Sequence, residues 1–174
     1  MLTIISGTNR PDSKTRKVAD YYQQVLLQHN QKSVVLDLHD LPPEFLFSAM
    51  YHNAGRNEAF NLFRNIIQES EKFVFIVPEY NGSFPGVLKA FIDGLDHRKS
   101  FANKKCALVG ISAGNMAGAL ALSHLTDILN YMGMNVLALK IRLPQISSIF
   151  IEGKIKDDFL TNLLETQAKT LIEF

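Results

Sequence analysis

Residues 73–86 read FVFIVPEYNGSFPG, and the rest of the chain is best understood outward from this stretch. Phe73 to Val77 are five apolar residues in a row, a pattern typical of a strand that is covered on both faces inside a parallel sheet. Pro78 has no N–H to donate to a sheet ladder, so the strand is expected to stop there. Pro85 suits the first position of a helix because its φ is already fixed. The stretch therefore predicts a strand, a polar and aromatic loop, and a helix, with the loop at the sheet edge where α/β proteins bind ligands.

The composition restricts the function classes. The chain has 174 residues, of which 47% are hydrophobic, so we expect one domain over residues 1–174 with a sizeable core. The formal net charge of +1 gives no broad electrostatic attraction, so neither a nucleic acid nor a membrane is expected as a partner. Cys106 is the single cysteine and cannot form an internal disulfide, which fits a reducing, cytoplasmic location. The uncharged segment Cys106–Thr126 is interrupted by glycines and polar residues, which favours strand, loop and helix over a membrane span.

Short apolar segments alternate with amphipathic ones along the whole chain. Strands are predicted at Leu2–Ile5, Ser33–Leu38, Phe73–Val77, Cys106–Ile111 and Val136–Ile141. Helices are predicted after the caps Ser13 and Asp157, at Glu58–Ser70, after Pro85, and at Ala117–Met132 with Gly133 as its stop. This alternation predicts an α/β fold of the flavodoxin-like, three-layer α/β/α type, with a five-stranded parallel sheet in the order 2-1-3-4-5.

Two segments lack a clean period and are interpreted as irregular. Phe45–Asn57 carries three aromatic residues, Phe45, Phe47 and Tyr51, which either anchor a loop to the core or cover a flat ligand or a partner subunit. Ile146–Gly153 is the second irregular segment. The charged run Asp96–Ser100 is interpreted as a solvated surface turn.

The loop after the first strand, Ser6 to Thr15, is rich in hydroxyl groups and contains Arg10. It precedes a helix, and a helix N-terminus attracts anions through its unpaired N–H groups and its dipole. A capped turn without a ligand explains the same residues equally well. The dinucleotide pattern G-x-G-x-x-G and the Walker pattern are absent from this loop, so a single phosphate held by hydroxyl groups fits better than a pyrophosphate.

The loop after the fourth strand, Ser112 to Gly118, consists mainly of small residues that allow close approach of a planar ligand to the backbone. In the predicted sheet the loops after the first, third and fourth strands lie side by side, which suits a flat heterocycle with one phosphate, such as FMN. The five histidines show no metal-ligand spacing and there is no nucleophile elbow, so neither a metal site nor a nucleophilic serine of that type is predicted. Glu79 is either a general acid or base or, more in keeping with its residue type, a solvated carboxylate.

Three motifs resemble those of the NAD(P)H-dependent FMN reductase family, which includes azo-dye and quinone reductases. The first, G-S-x-R-x-x-S-x-N, corresponds to Gly7–Thr15. The second, P-E-Y-N-G-S-x-P-G, is present without change as Pro78–Gly86. The third is the Ser/Gly-rich loop Ser112–Gly118. The departures are Thr8 and Thr15 in place of Ser and Asn, Gly94 in place of an aromatic residue, and the absence of a double glycine in Asn115–Ala119.

The resemblance implies an oxidoreductase that uses FMN to carry electrons from NADPH or NADH to a small acceptor such as a flavin, quinone, azo dye or metal ion. It implies that the FMN phosphate is bound by Thr8, Arg10, Ser13 and Thr15. The ribityl chain and ring would be lined by Pro78, Glu79, Tyr80, Asn81, Gly82 and Ser83, and the pyrimidine side would meet Ser112 and Gly114. It also implies a homodimer or homotetramer.

Two other functions share this predicted fold. A flavodoxin-type electron carrier without nicotinamide oxidase activity is the alternative, although such carriers are strongly acidic and this chain is not. A response-regulator receiver needs carboxylates at the ends of the first and third strands, where this chain has Ser6 and Pro78-Glu79.

Overall fold

The computed structural model describes residues 1–97 and 99–174, and in this part of the chain a parallel sheet lies between two layers of helices. Its strands are β1 (Leu2–Ser6), β2 (Val34–Asp37), β3 (Lys72–Pro78), β4 (Lys105–Ile111), β5 (Asn135–Val136) and β6 (Ile141–Leu143). The order is β2-β1-β3-β4-β5, β6 also pairs with β4, and every pair is parallel. The predicted flavodoxin-like strand order is confirmed.

The helices begin and end at the signals that the sequence carries. They are α1 (Lys14–Gln28), α2 (Phe45–Ser48), α3 (Glu58–Glu69), α4 (Gly86–Asp93), α5 (Ala119–Tyr131), α6 (Ile146–Ile149) and α7 (Asp158–Glu173). Ser13 and Asp157 cap α1 and α7 by accepting hydrogen bonds from the amides of Arg16 and Leu160, at 3.1 and 2.9 Å. Pro85 is the N-cap of α4 rather than its first helical residue, so the helix begins one residue later than predicted.

Strand β3 is buried on both faces, as its unbroken apolar run predicts. Phe73 and Phe75 belong to the core packed against α3, α4 and α5. Val74 and Ile76 belong to the opposite core, which α1 and α7 cover. Because side chains alternate along a strand, helices on both faces require an apolar residue at every position.

The predicted fifth strand, Val136–Ile141, is wrong as a continuous element. The chain pairs with β4 as β5, leaves the sheet, and pairs again as β6. Between them the buried amide of Gln167 on α7 donates to the carbonyls of Leu108 and Leu139, at 3.1 and 2.7 Å. The side-chain amide of Gln167 thus takes the place of the backbone N–H groups that a continuous strand would offer to these carbonyls. The strand pattern in the sequence does not reveal this replacement.

The two segments predicted as irregular contain regular structure. Ile146–Gly153 includes α6 and leads into an antiparallel hairpin of β7 (Phe150–Ile151) and β8 (Lys154–Ile155). In the other segment, Phe45 lies at the start of α2 and stacks on Phe60 at 5.5 Å, which confirms its role as an anchor. Phe47 and Tyr51 are 82% and 84% exposed, so the anchoring interpretation is wrong for these two.

Two further predictions concern surface and membrane segments. The charged run Asp96–Ser100 contains Arg98, which lies outside the described residues. In the described ranges, no helix combines the length and the apolar character needed to cross a bilayer.

Candidate functional site

The carboxyl edge of the sheet brings the three predicted loops around one cavity of about 530 Å³. This volume is within the range of small-molecule and cofactor sites, which is about 300–1,000 Å³. The cavity is lined by the loop after β1 with the start of α1, by the loops after β3 and β4, and by the start of α6. The lining residues are Arg10, Pro11, Asp12, Ser13, Lys14, Thr15, Pro78, Glu79, Tyr80, Ile111, Ser112, Ala113, Ile146 and Ser147.

One end of the cavity is formed by the N-terminus of α1. Lys14 and Thr15 are the first two residues of this 15-residue helix, where backbone N–H groups have no intrahelical acceptor. The Ser13 oxygen accepts from the amide of Arg16, which leaves the Ser13 hydroxyl proton free to donate. Arg10 and Lys14 add two positive charges to the lining. This end therefore has the donor and charge pattern that binds an anion.

Thr8 connects this end to the aromatic loop instead of lining the cavity. It is fully buried, and its hydroxyl lies 2.8 Å from the hydroxyl of Tyr80. The Thr8 oxygen also accepts from the amide of Arg10 at 3.3 Å. Thr8 therefore fixes both the backbone that carries Arg10 and the phenol of Tyr80.

The lining that the loop after β3 contributes includes an incompletely paired acid, Glu79. The amide of Glu79 donates to the carbonyl of Ile111 at 3.1 Å, which places the residue at the junction of β3 and β4. Glu79 Oε2 is buried and has no hydrogen-bond partner among the residues that the structure describes. The expected solvated carboxylate is therefore wrong for this oxygen. A buried polar atom without a partner is costly, so the Glu79 carboxylate is the group of this loop with unused hydrogen-bonding capacity.

The loop after β4 is folded back on its own strand. Ser112 Oγ donates to the carbonyl of Gly114 at 2.8 Å and accepts from the amide of Ala117 at 3.0 Å. A Cβ on Gly110 would lie 2.6 Å from the carbonyl oxygen of Ala117, so only glycine permits this approach. The carbonyl of Gly114 also accepts from the amide of Gln145 at 3.2 Å, and this joins the loop to the segment that precedes α6.

The structure brings seven of the predicted site residues together in the cavity lining. These are Arg10, Ser13, Thr15, Pro78, Glu79, Tyr80 and Ser112. The others belong to the same loops but lie outside the lining: Thr8, Asn81, Gly82, Ser83 and Gly114.

Sequence reasoning missed Ile111, Ala113, Ile146 and Ser147 as lining residues, together with three residues inside the first loop. Ile146 and Ser147 follow β6, and the carboxyl ends of all parallel strands meet at the same edge. A correctly placed end of the last strand would have indicated them.

The family model described as NADPH-dependent FMN reductase matches residues 1–143 of the chain. The chain is similar to an NAD(P)H-dependent FMN reductase of Pseudomonas aeruginosa, with 29% identity over 140 residues that cover 78% of this chain and 76% of that protein. It is also similar to a quinone reductase of Pseudomonas putida, with 27% identity covering 90% of this chain and 84% of that protein.

Solved structures show the same fold. The flavoenzyme NAD(P)H:(acceptor) oxidoreductase FerB of Paracoccus denitrificans matches with a TM-score of 0.80 and 23% identity, over 99% of this chain and 94% of that one. A flavodoxin from the domain Archaea matches with a TM-score of 0.67 and 14% identity, over 99% of this chain and 97% of that one.

Proposed function

Because this chain belongs to the NADPH-dependent FMN reductase family, it is a nicotinamide-driven, FMN-dependent oxidoreductase, and we propose that the cavity at the carboxyl edge is its FMN site. The observation that carries the proposal is the combination of groups that line this cavity. A helix N-terminus and Arg10, which together suit an anion, line the same cavity as Glu79, whose carboxylate has one oxygen without a partner. The phosphate of FMN suits the helix N-terminus and Arg10, and the ribityl hydroxyl groups are donors that suit the carboxylate of Glu79. The residues present therefore fit the cofactor.

At the phosphate end, we assign direct contacts to Arg10, Ser13 and Thr15. Arg10 provides a charge-assisted hydrogen bond, and the two hydroxyl groups and the first-turn amides provide neutral ones. Thr8 acts on the phosphate indirectly, because its hydroxyl is already paired with Tyr80 and with the amide of Arg10.

Among the other lining residues, Pro78, Glu79, Tyr80 and Ser112 are proposed to face the ribityl chain and the ring. Asn81, Gly82, Ser83 and Gly114 complete the site by holding the backbone of the two loops. FMN, when bound, takes electrons from a nicotinamide and passes them to a small acceptor. The chain's own contribution is to bind and orient, and no side chain is proposed as a proton donor or acceptor in the reaction.

The finer features are proposed with the same site. Residues 1–174 act as one FMN-binding domain, the acceptor is a small molecule, and the protein works in the cytoplasm, which its lone cysteine supports.

We also propose that it is at least a dimer. A groove of about 490 Å³ between α4 and α5 carries the side chain of Tyr131, which is 82% exposed, with Lys89 and Asp93 beside it. A second copy of the chain is the partner we propose to cover the apolar side chains of this groove.

The absorbance spectrum of the purified protein tests the proposal. We expect FMN to bind and its yellow colour to be lost when NADPH or NADH is added without oxygen, then restored by a quinone. Bound FMN that stays oxidised with both nicotinamides, yet exchanges electrons quickly with a redox protein, would instead support the electron-carrier alternative. Failure to bind FMN would contradict the proposed site.

A further inference from the structure

The loop after β3 closes in a tight turn whose shape depends on two unusual residues. The amide of Tyr80 donates to the carbonyl of Ser83 at 2.8 Å, and the amide of Ser83 donates back at 3.1 Å. Between them Asn81 and Gly82 have φ values of 52° and 74°. Two central residues with positive φ are the signature of a type I′ turn, for which Asn-Gly is the preferred sequence.

This turn has no strand ladder to support it, since its pairing is an isolated bridge between Tyr80 and Ser83. An isolated two-stranded hairpin is marginally stable in water, so side-chain anchors are needed to hold it. On one side the phenol of Tyr80 is held by Thr8 at 2.8 Å. On the other side Ser83 Oγ lies 3.0 Å from Nδ1 of His124, which is on α5.

We propose that His124 is a positioning residue for the FMN site, acting through Ser83 to hold the Tyr80–Ser83 turn against α5. Leu120, one helical turn before His124, lies next to the same turn, because a Cβ on Gly82 would come within 3.8 Å of its Cδ1. His124 itself does not line the cavity, whereas Tyr80 does. The inference rests on the proposed function, since it concerns how the chain prepares the site for FMN.

The chemistry of the pair suits an anchor. A hydroxyl group both donates and accepts, and Nδ1 of an imidazole does one or the other according to the tautomer. Ser83 and His124 therefore keep one hydrogen bond in either tautomer. With this bond and the Thr8–Tyr80 bond in place, the turn is fixed at both of its ends, to the first loop and to α5.

When one anchor is lost, the turn is less ordered before FMN binds, and the entropy cost of ordering it then weakens binding. A neutral hydrogen bond of ordinary strength corresponds to a factor of about 2–10 in an equilibrium constant. The Ser83–His124 bond is exposed to solvent, so we expect the low end of this range: His124→Leu should weaken FMN binding about two- to threefold, and Ser83→Ala by a similar factor. The double variant should bind no worse than either single variant, because both remove the same bond.

The experiment measures FMN dissociation constants by flavin fluorescence for the wild type, the two single variants, the double variant and His124→Asn. Asparagine places a polar atom near the position of Nδ1, so His124→Asn should restore most of the affinity. Gln24→Leu, a polar-to-leucine change at an exposed position of α1, is the matched control and should bind like the wild type. The visible circular dichroism of bound FMN should change in His124→Leu and be restored in His124→Asn.

Imidazole ¹⁵N chemical shifts of His124 in the FMN-free protein give a readout that needs no flavin. They should move when Ser83 is replaced by alanine. Wild-type affinity in His124→Leu, or strictly additive losses in the double variant, would overturn the inference and leave the proposed function intact. If the wild type itself fails to bind FMN, both fail together. If His124→Leu does not fold, Ser83→Ala alone tests the same bond from the side of the turn.

Discussion

Arg10 is the residue whose charge is best placed for the proposed phosphate contact. It lines the cavity next to the N-terminus of α1, and among the described residues it takes part in no ion pair. A hydrogen bond to a charged group contributes about 1.5–3 kcal/mol, which is about 10- to 100-fold in affinity.

We therefore expect Arg10→Gln to weaken FMN binding by about 10- to 100-fold. Binding of riboflavin, which has no phosphate, should hardly change. Fluorescence titrations with the two flavins measure the difference, and Arg64→Gln on α3 controls for the loss of one positive charge. An equal loss of affinity for FMN and riboflavin would place the phosphate elsewhere.

Gly110 is required by packing within the loop after β4. An alanine there would put a Cβ 2.6 Å from the carbonyl oxygen of Ala117 and 3.1 Å from Leu122, so backbone must move. We expect Gly110→Ala to destabilise the fold by about 1–3 kcal/mol, the usual cost of overpacking. Chemical denaturation measures it. Gly86→Ala, where a Cβ meets nothing within 4 Å, is the control and should be close to neutral.

Cys106 is fully buried in β4, and burial raises the pKa of its thiol to about 12, with the charge of Lys140 acting weakly in the opposite direction. The thiolate is the reactive form, so the folded protein should resist a thiol reagent at pH 8 and react fully once denatured. A thiol in the unfolded chain ionises near pH 8.5. The folded state therefore binds more protons between about pH 8.5 and 12, and this group's contribution to stability falls as the pH rises through that range.

The labelling rate of native and denatured protein with the same reagent checks this prediction. Equal rates in the two states would show that the thiol is accessible in the fold. Comparison of Cys106→Ala with the wild type in denaturation above pH 9 isolates the pH-dependent part, which the variant should lack.

At the scale of elements, α7 takes the place of a missing stretch of strand. Gln167 is fully buried; its amide nitrogen donates to the carbonyls of Leu108 and Leu139, and its oxygen accepts from the hydroxyl of Tyr22 at 3.1 Å. Burial raises the pKa of Tyr22, so its hydroxyl remains a donor throughout the ordinary pH range. The network joins α1, α7 and the edge of the sheet.

We expect Gln167→Leu to cost about 2–5 kcal/mol, because it leaves two buried carbonyls unsatisfied at about 1–3 kcal/mol each. Tyr22→Phe should cost less, about 1 kcal/mol, since it removes one donor from an amide oxygen. Denaturant unfolding measures both. Gln24→Leu is again the surface control, and a loss in Gln167→Leu no larger than in this control would show that the network does not support β5 and β6.

At the scale of the whole molecule, the groove between α4 and α5 is the surface proposed to contact a second copy. Tyr131 lies there with an 82% exposed side chain, beside the ion pair of Lys89 with Asp93 at 2.7 Å. If a second copy covers this groove, the exposed aromatic side chain in it is expected to contribute strongly to the association.

We expect Tyr131→Arg to shift the protein from dimer to monomer in sedimentation velocity at micromolar concentration, without loss of helix content. Phe159→Arg is the matched control, because Phe159 is also an exposed aromatic residue (70% exposed) but lies on α7, away from this groove. It should leave the dimer intact. A monomeric wild type with FMN fully bound would contradict the proposed assembly.

Local patterns in the chain were sufficient for most element boundaries and the identity of the three loops, and the alternation of strands and helices, with the rules for crossover connections, favoured the observed strand order. Apolar runs, caps such as Ser13 and Asp157, and the positive-φ residue Gly133 act over a few neighbouring residues, and so they can be recognised in the sequence. The Pro78–Gly86 motif pointed to the cofactor through its resemblance to the NAD(P)H-dependent FMN reductase family.

The remaining features depend on contacts between residues far apart in the chain. The break between β5 and β6 depends on Gln167, the burial of Glu79 Oε2 depends on how three loops close, and the anchor of Ser83 is His124, 41 positions away. Hydrogen bonds and burial of this kind are set by packing in three dimensions, so no local pattern carries them. These three features are decided by how the helices and loops pack against the sheet.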